Sequence, residues 1–256
     1  MKLAVSGKGG VGKTTVAAAM VRLFSERCRV VYAIDADPDV CLAAALGIPD
    51  DITGELRPLV EMREKMAAAG KSGEDSLTGF QPCLRELDEY CIAQRNIRYL
   101  RMGGVKKGGS SCYCRENTFL NAVVSSLLLE KQDVVVMDMG AGIEHLSRGT
   151  ARGVDLMLVV VEPSLNSINT AGLVKRLAAE LGIRKIRVIA NKIRNELEKE
   201  FIISRFSPEE VLGFIRFDEG VWRGAMTGCS LDGSEGKLSS DMREIYERVL
   251  KELELK

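Results

Sequence analysis

The chain has 256 residues, of which 46% are hydrophobic and 28% charged, enough apolar material for one sizeable α/β domain or two small ones. Its 36 Lys and Arg are balanced by 36 Asp and Glu, so bulk charge favours neither nucleic acid nor an anionic membrane as a partner. No apolar run reaches membrane-spanning length, Met1 leads straight into an apolar segment with no signal peptide expected, and seven cysteines point to reduced or metal-bound thiols in a cytoplasmic protein.

The spacing predicts a short buried strand over residues 2–6 and a helix over 14–26 with Val16, Ala19, Met20, Leu23 and Phe24 at helical intervals. Between them, Gly7-Lys8-Gly9-Gly10-Val11-Gly12-Lys13-Thr14 fits G-x-x-x-x-G-K-S/T, the loop whose backbone N–H groups cradle nucleotide phosphates. The glycines let the main chain approach those phosphates closely, so Gly9, Gly10, Val11, Gly12, Lys13, Thr14 and Thr15 are candidate nucleotide contacts. The helix directs its unpaired N–H groups and positive dipole end at the same anions. Lys13 is expected to reach the β- and γ-phosphates, and the Thr14 hydroxyl to ligate Mg²⁺.

Lys8 is a second cation that the general pattern does not require. K-G-G-V-G-K-T-T resembles the deviant phosphate-binding loop of the MinD/ParA/nitrogenase-iron-protein group of ATPases. That resemblance implies a homodimer in which Lys8 reaches across a two-fold axis to the partner's nucleotide. There it would stabilise transition-state charge as an arginine finger does, an effect of roughly 10³–10⁵ in rate.

A second strand over 29–34 ends at Asp35-Ala36-Asp37-Pro38-Asp39, with carboxylates where open α/β sheets bind ligands. D-A-D-P resembles switch I of the same ATPases, which implies that Asp37 orients or activates the attacking water and that Asp35 lies near the Mg²⁺ shell. Asp39 is a third candidate for the water, or a turn-forming residue. Residues 50–95 read as a helical insertion, in which two charged segments with helical periodicity, 55–69 and 82–93, flank a Gly/Ser/Asp-rich loop at 70–79. Cys83 and Cys91 match no usual metal spacing and read as packing residues.

A third strand over 96–102 opens into a loop at 103–116 that contains Cys112-Tyr113-Cys114. In an extended loop alternate side chains point the same way, so two thiols can face one metal ion. Lys106, Lys107 and Arg115 favour the thiolates such an ion requires. Two sulfurs leave a thiophilic ion short of ligands, and a dimer with one such motif per subunit would supply four. A redox dithiol, a site completed within the same chain and two plain loop cysteines are the alternatives. Taken together, the deviant loop, the D-A-D-P segment and the glycine-rich C-Y-C loop resemble the CooC-type nickel-insertion accessory ATPases of carbon monoxide dehydrogenase, some of which serve acetyl-CoA synthase.

After a helix over 116–129, Asp133-Val134-Val135-Val136-Met137-Asp138 carries the Walker B pattern, with Asp138 expected to hold the Mg²⁺ shell through water. Residues 139–145 resemble switch II. His145, the sole histidine, falls about where the nitrogenase iron protein has a cluster-ligating cysteine, which argues against such a cluster here. It reads as a helix-start residue or an auxiliary metal ligand. A strand over 155–161, a helix over 167–181 and a strand over 186–190 lead to Asn191-Lys192-Ile193-Arg194. Guanine-specific relatives carry Asp where this chain has Arg194, so the resemblance implies ATP, with Asn191 against the adenine and Lys192 beside it. A last strand over 211–215 precedes a loop placed to flank the base. The 239–255 helix is apolar on one face and mixed in charge on the other, and is expected to pack on the sheet rather than on a membrane.

The sequence therefore predicts a single α/β domain spanning 1–256, a doubly wound, mostly parallel sheet with helices on both faces. The resemblance implies a metal-delivery ATPase that binds ATP or ADP, Mg²⁺ and Ni²⁺ or Zn²⁺. Lys8, Lys13 and Asp37 would serve catalysis, Cys112 and Cys114 the transition metal, and the client would be carbon monoxide dehydrogenase or acetyl-CoA synthase. No nucleic acid or membrane partner is expected. The competing readings are a MinD/ParA-like positioning ATPase, which needs a basic or amphipathic anchor, and an iron-protein-like electron-transfer ATPase with a shared iron–sulfur cluster.

Overall fold

Apolar side chains alternate between two faces along each central strand, and that period of two builds the protein. The structure is a computed structural model that describes residues 1–37, 41–68, 87–103, 119, 123, 132–140, 153–227 and 237–253. Its strands are β1 (Lys2–Gly7), β2 (Val30–Ala36), β3 (Ile92–Gln94), β4 (Ile97–Arg101), β5 (Asp133–Met139), β6 (Leu156–Val161), β7 (Ile186–Ile193) and β8 (Val211–Arg216). They form one sheet in the order β3-β4-β2-β5-β1-β6-β7-β8, parallel throughout except for the antiparallel β3–β4 edge pair.

The helices among the described residues are α1 (Lys13–Ser25), α2 (Leu42–Leu46), α3 (Asp50–Glu55), α4 (Leu59–Ala68), α5 (Leu165–Glu180), α6 (Glu196–Ile203), α7 (Glu219–Thr227) and α8 (Lys237–Glu252). On one face of the sheet, Leu3, Val5, Val134, Val136, Leu156 and Leu158 pack with residues of α1, α2 and α8. On the other, Ala4, Val135, Met137, Met157 and Val159 pack with residues of α4, α5 and α6. This is the doubly wound arrangement expected from the sequence. Each fully buried Val, Leu or Ile in it contributes roughly 1.5–3 kcal/mol. A carboxylate at the end of such a strand opposes that preference and needs a partner or a ligand.

The helical insertion differs in detail from the expectation. α3 ends at Leu56, whose backbone turns extended, and α4 starts only after Pro58. Pro58 also disfavours a helical conformation at Arg57 before it, so one helix does not run through this stretch. Residues 92 and 93, expected to end the helical segment over 82–93, instead form β3 with Gln94 and fold back on β4 through Arg95 and Asn96. Arg95 takes a positive φ of 53° in that turn, and the Asn96 carboxamide ties it to the carbonyls of Ser25 and Cys28. Cys91 packs against the core and burial pushes its thiol up to about 11, as befits a packing residue. Cys83, the 70–79 loop and most of the 116–129 segment lie outside the described residues. The C-terminal helix packs as expected, burying Leu238, Met242, Ile245, Tyr246 and Val249 against the sheet. No helix among the described residues is long and apolar enough to cross a membrane.

Candidate functional site

β1 runs between β5 and β6, and its carboxyl end delivers the chain into the glycine-rich loop before α1. Gly7 approaches β6 so closely that a Cβ there would lie 2.3 Å from the Val160 carbonyl oxygen. Gly12 takes φ +94° as the residue preceding α1, and no side chain caps the helix. Its first N–H groups are therefore open to an anion, the arrangement that binds phosphate at helix N-termini. Lys13 is only 6% exposed, and its Nζ donates to the Lys8 carbonyl at 3.3 Å.

Two aspartates stand beside this loop at paired positions of β2 and β5, Asp35 and Asp138. Both are fully buried. Burial pushes Asp138 up to about 7, the nearby Asp35 and Asp37 charges push the same way, and Thr14 and Lys13 oppose them. Neither Asp138 oxygen has a hydrogen-bond partner of ordinary geometry, although the Thr14 hydroxyl stands close enough to draw the pKa down. A buried, unpartnered carboxylate next to a hydroxyl and a phosphate-binding loop fits a hydrated Mg²⁺, which takes one or two protein oxygens and completes its shell with waters and phosphate.

Asp35 is different, because both of its oxygens are used by the protein. Oδ1 accepts from the Asp37 N–H at 3.2 Å, and Oδ2 accepts from the Leu42 N–H at 3.0 Å and the Tyr99 hydroxyl at 3.2 Å. Burial raises its pKa to about 6 while the two backbone donors hold it down. Asp35 therefore stands beside the expected Mg²⁺ position but is engaged in holding the main chain at Asp37 and Leu42.

A cavity of about 410 Å³ opens over these groups. Gly9, Gly10, Gly12, Lys13, Thr14 and Thr15 line it, and so does Asp37. Phe217, Asp218, Val221 and Trp222 from the loop after β8 and from α7 line it as well. Asn191 and Lys192 join this set from β7. The Asn191 Nδ2 donates to the Val11 carbonyl at 2.8 Å, while its Oδ1 accepts from the Lys192 N–H at 2.8 Å. Lys192 adopts φ +62° where β7 and β8 fall out of register, and its Nζ reaches the Gly10 carbonyl at 2.5 Å and Glu162 Oε2 at 3.0 Å. Both residues expected at the nucleotide thus also brace the phosphate loop. Lys8 is half-buried and is not among the residues lining the cavity.

Cys112, Cys114, His145 and Asp39 lie outside the described residues. Among the described residues, no group of three or more His, Cys, Asp or Glu side chains is placed to hold a metal ion. Sequence reasoning did not find Glu162, Tyr99 or Trp222. Only the last carried a signal: it is the one tryptophan of the chain.

A model of the CobQ/CobB/MinD/ParA nucleotide binding domain family matches residues 2–231. The chain is 37% identical over 235 residues to the carbon monoxide dehydrogenase accessory protein CooC of Rhodospirillum rubrum, covering 90% of this chain and 89% of that protein. It is 36% identical over 255 residues to an uncharacterized ATP-binding protein of Methanocaldococcus jannaschii, covering 98% of each. The solved structure of the septum site-determining protein MinD complexed with Mg-ADP from Pyrococcus horikoshii has the same fold, with a TM-score of 0.64 at 21% identity over 97% of this chain and 95% of that one.

Proposed function

The chain belongs to the CobQ/CobB/MinD/ParA family of nucleotide-binding proteins, and from that premise we propose that it is an ATP-hydrolysing metallochaperone. It closes into a homodimer on nucleotide and holds a transition-metal cargo between subunits through Cys112 and Cys114, for nickel insertion into carbon monoxide dehydrogenase or acetyl-CoA synthase. The observation that carries the ATPase half is the single cavity that joins the phosphate loop, Asp37 and the Trp222 wall. The metal half is supported by the likeness to a carbon monoxide dehydrogenase accessory protein and by the C-x-C motif itself.

The roles divide by chemistry. Lys13 and the α1 N-terminus bind the β- and γ-phosphates, neutralising charge that a buried lysine would otherwise carry alone. Thr14 and Asp138 would hold Mg²⁺, which would supply charge neutralisation at the phosphates when bound. Asp37, which lines the same cavity, orients the water that attacks the γ-phosphorus. Lys8, which is not among the residues lining its own cavity, stabilises the transition state at the partner's nucleotide. Asn191 and Lys192 hold the phosphate loop and flank the base. Hydrolysis removes the anion that Lys8 contacts, so the dimer loosens and its four thiolates release their cargo.

Metal stoichiometry measured against dimer mass tests the reading. With a non-hydrolysable ATP analogue and Ni²⁺ or Zn²⁺ present, light scattering should report a dimer and metal analysis about one transition-metal ion in it, as four sulfurs per ion require. Replacing Cys112 and Cys114 by Ser should abolish that ion and leave nucleotide binding intact. A protein that stays monomeric with both nucleotide and metal, or a double variant that binds metal as before, overturns it.

A further inference from the structure

Tyr99 is fully buried in β4, where its Cα pairs with Ala33 of β2. A phenylalanine would fill the same space, and a buried hydroxyl is costly unless it finds a partner. The partner here is Asp35 Oδ2, at 3.2 Å. Asp35 in turn holds two backbone N–H groups that bracket the segment after β2. Its Oδ1 takes the N–H of Asp37 at 3.2 Å, and its Oδ2 takes the N–H of Leu42, the first residue of α2, at 3.0 Å. The main chain adds a further tie between the same strands, since the Met102 N–H donates to the Asp35 carbonyl at 2.8 Å. One carboxylate thus fixes both a residue that lines the cavity and the helix start at Leu42, and Tyr99 fixes the carboxylate from inside the sheet.

We propose that Tyr99 is a positioning residue for nucleotide hydrolysis, which through Asp35 sets where Asp37 stands in the cavity. The proposal rests on the reading of Asp37 as the residue that orients water. The phosphate loop is held by separate bonds, from Asn191 to Val11 and from Lys192 to Gly10, so binding and water positioning rest on different contacts. Losing the Tyr99 hydroxyl therefore leaves nucleotide affinity alone and misplaces Asp37, and small misplacements of a reacting group carry large rate penalties.

The test is steady-state ATP turnover of the full chain with Mg²⁺, as kcat and KM, for Tyr99→Phe, Asp37→Asn and their double variant. Tyr99→Phe should lower kcat roughly tenfold, the loss of one hydrogen bond to a charged group, with KM within about twofold of the parent. The double variant should be no slower than Asp37→Asn alone, because Tyr99 acts only through Asp37. Unchanged kcat, a rise in KM alone, or additive losses overturn the proposal while Asp37→Asn keeps only a small residual turnover. Full turnover by Asp37→Asn overturns the reading beneath it and the proposal together. Should Tyr99→Phe fail to fold, Asp35→Asn carries the same test: kcat should fall while KM and the half-saturating Mg²⁺ concentration hold, and a raised Mg²⁺ requirement would make Asp35 a metal ligand instead.

Discussion

The Asn191 carboxamide donates to the Val11 carbonyl at 2.8 Å, and a Cβ on neighbouring Gly12 would lie 2.3 Å from that same nitrogen. β7 and the phosphate loop are thus closely fitted at this nitrogen, beside the Lys192 contact to the Gly10 carbonyl. Asn191→Ala should weaken ADP and inorganic tripolyphosphate alike, by roughly tenfold each, because the Val11 carbonyl in the loop that binds phosphate is left without its donor. Isothermal titration with both ligands checks this. A loss confined to ADP would make Asn191 a base contact and nothing more.

Trp222 lines the same cavity with 53% of its surface exposed, and it is the only tryptophan in the chain. Its emission therefore reports this wall alone. Adding ADP should quench and blue-shift the fluorescence as the base covers the indole, whereas tripolyphosphate should not. Trp222→Ala should weaken ADP by about 1–2 kcal/mol, the worth of one base–aromatic contact, and leave tripolyphosphate untouched. An emission spectrum indifferent to ADP would remove the base from this end of the cavity.

The central strands were legible because Val134, Val135, Val136 and Met137 form an apolar run bounded by aspartates, and a glycine-rich loop between a strand and a helix has few other uses. The elements left unread depend on contacts distant in sequence. α2 is five residues long, and its first N–H is satisfied by Asp35 seven positions upstream. β3 is three residues at the sheet edge, and its pairing with β4 is visible only once Asn96 is seen tied to the end of α1. The position of Asp35 was read from its motif, but its engagement with Tyr99, sixty-four residues later, has no local signature.

Lys8 and Asp37 can be assigned to different subunits by mixing. If Lys8 serves the partner's nucleotide, Lys8→Ala and Asp37→Asn each abolish turnover in the homodimer. A mixed dimer then keeps one site with an intact Asp37 facing an intact Lys8. Random pairing makes about half of the dimers hybrid, each with one working site of two, so the mixture should recover roughly a quarter of parental turnover. Recovery at the level of background would return Lys8 to its own chain's site.

Asp138 joins stability to ligand binding with a definite sign. Its folded pKa of about 7 stands well above its unfolded value of 3.8, so the folded state retains a proton that the unfolded chain has lost. Stability from this group is complete below about pH 4 and disappears as pH rises toward 7, and Asp35, raised to about 6, acts in the same direction. At pH 8 without Mg²⁺ the charged Asp138 costs on the order of 3–4 kcal/mol. An asparagine there leaves a buried amide poorly bonded, at about 1–3 kcal/mol, which is the smaller term. Asp138→Asn should therefore raise the melting temperature of the nucleotide-free protein at pH 8, and the gain should vanish by pH 5. The same variant should lose the Mg²⁺-dependent stabilisation by ADP that the parent shows. A variant less stable than the parent at pH 8, or one still stabilised by Mg²⁺ with ADP, would mean that the Asp138 carboxylate is not the group that awaits the cation.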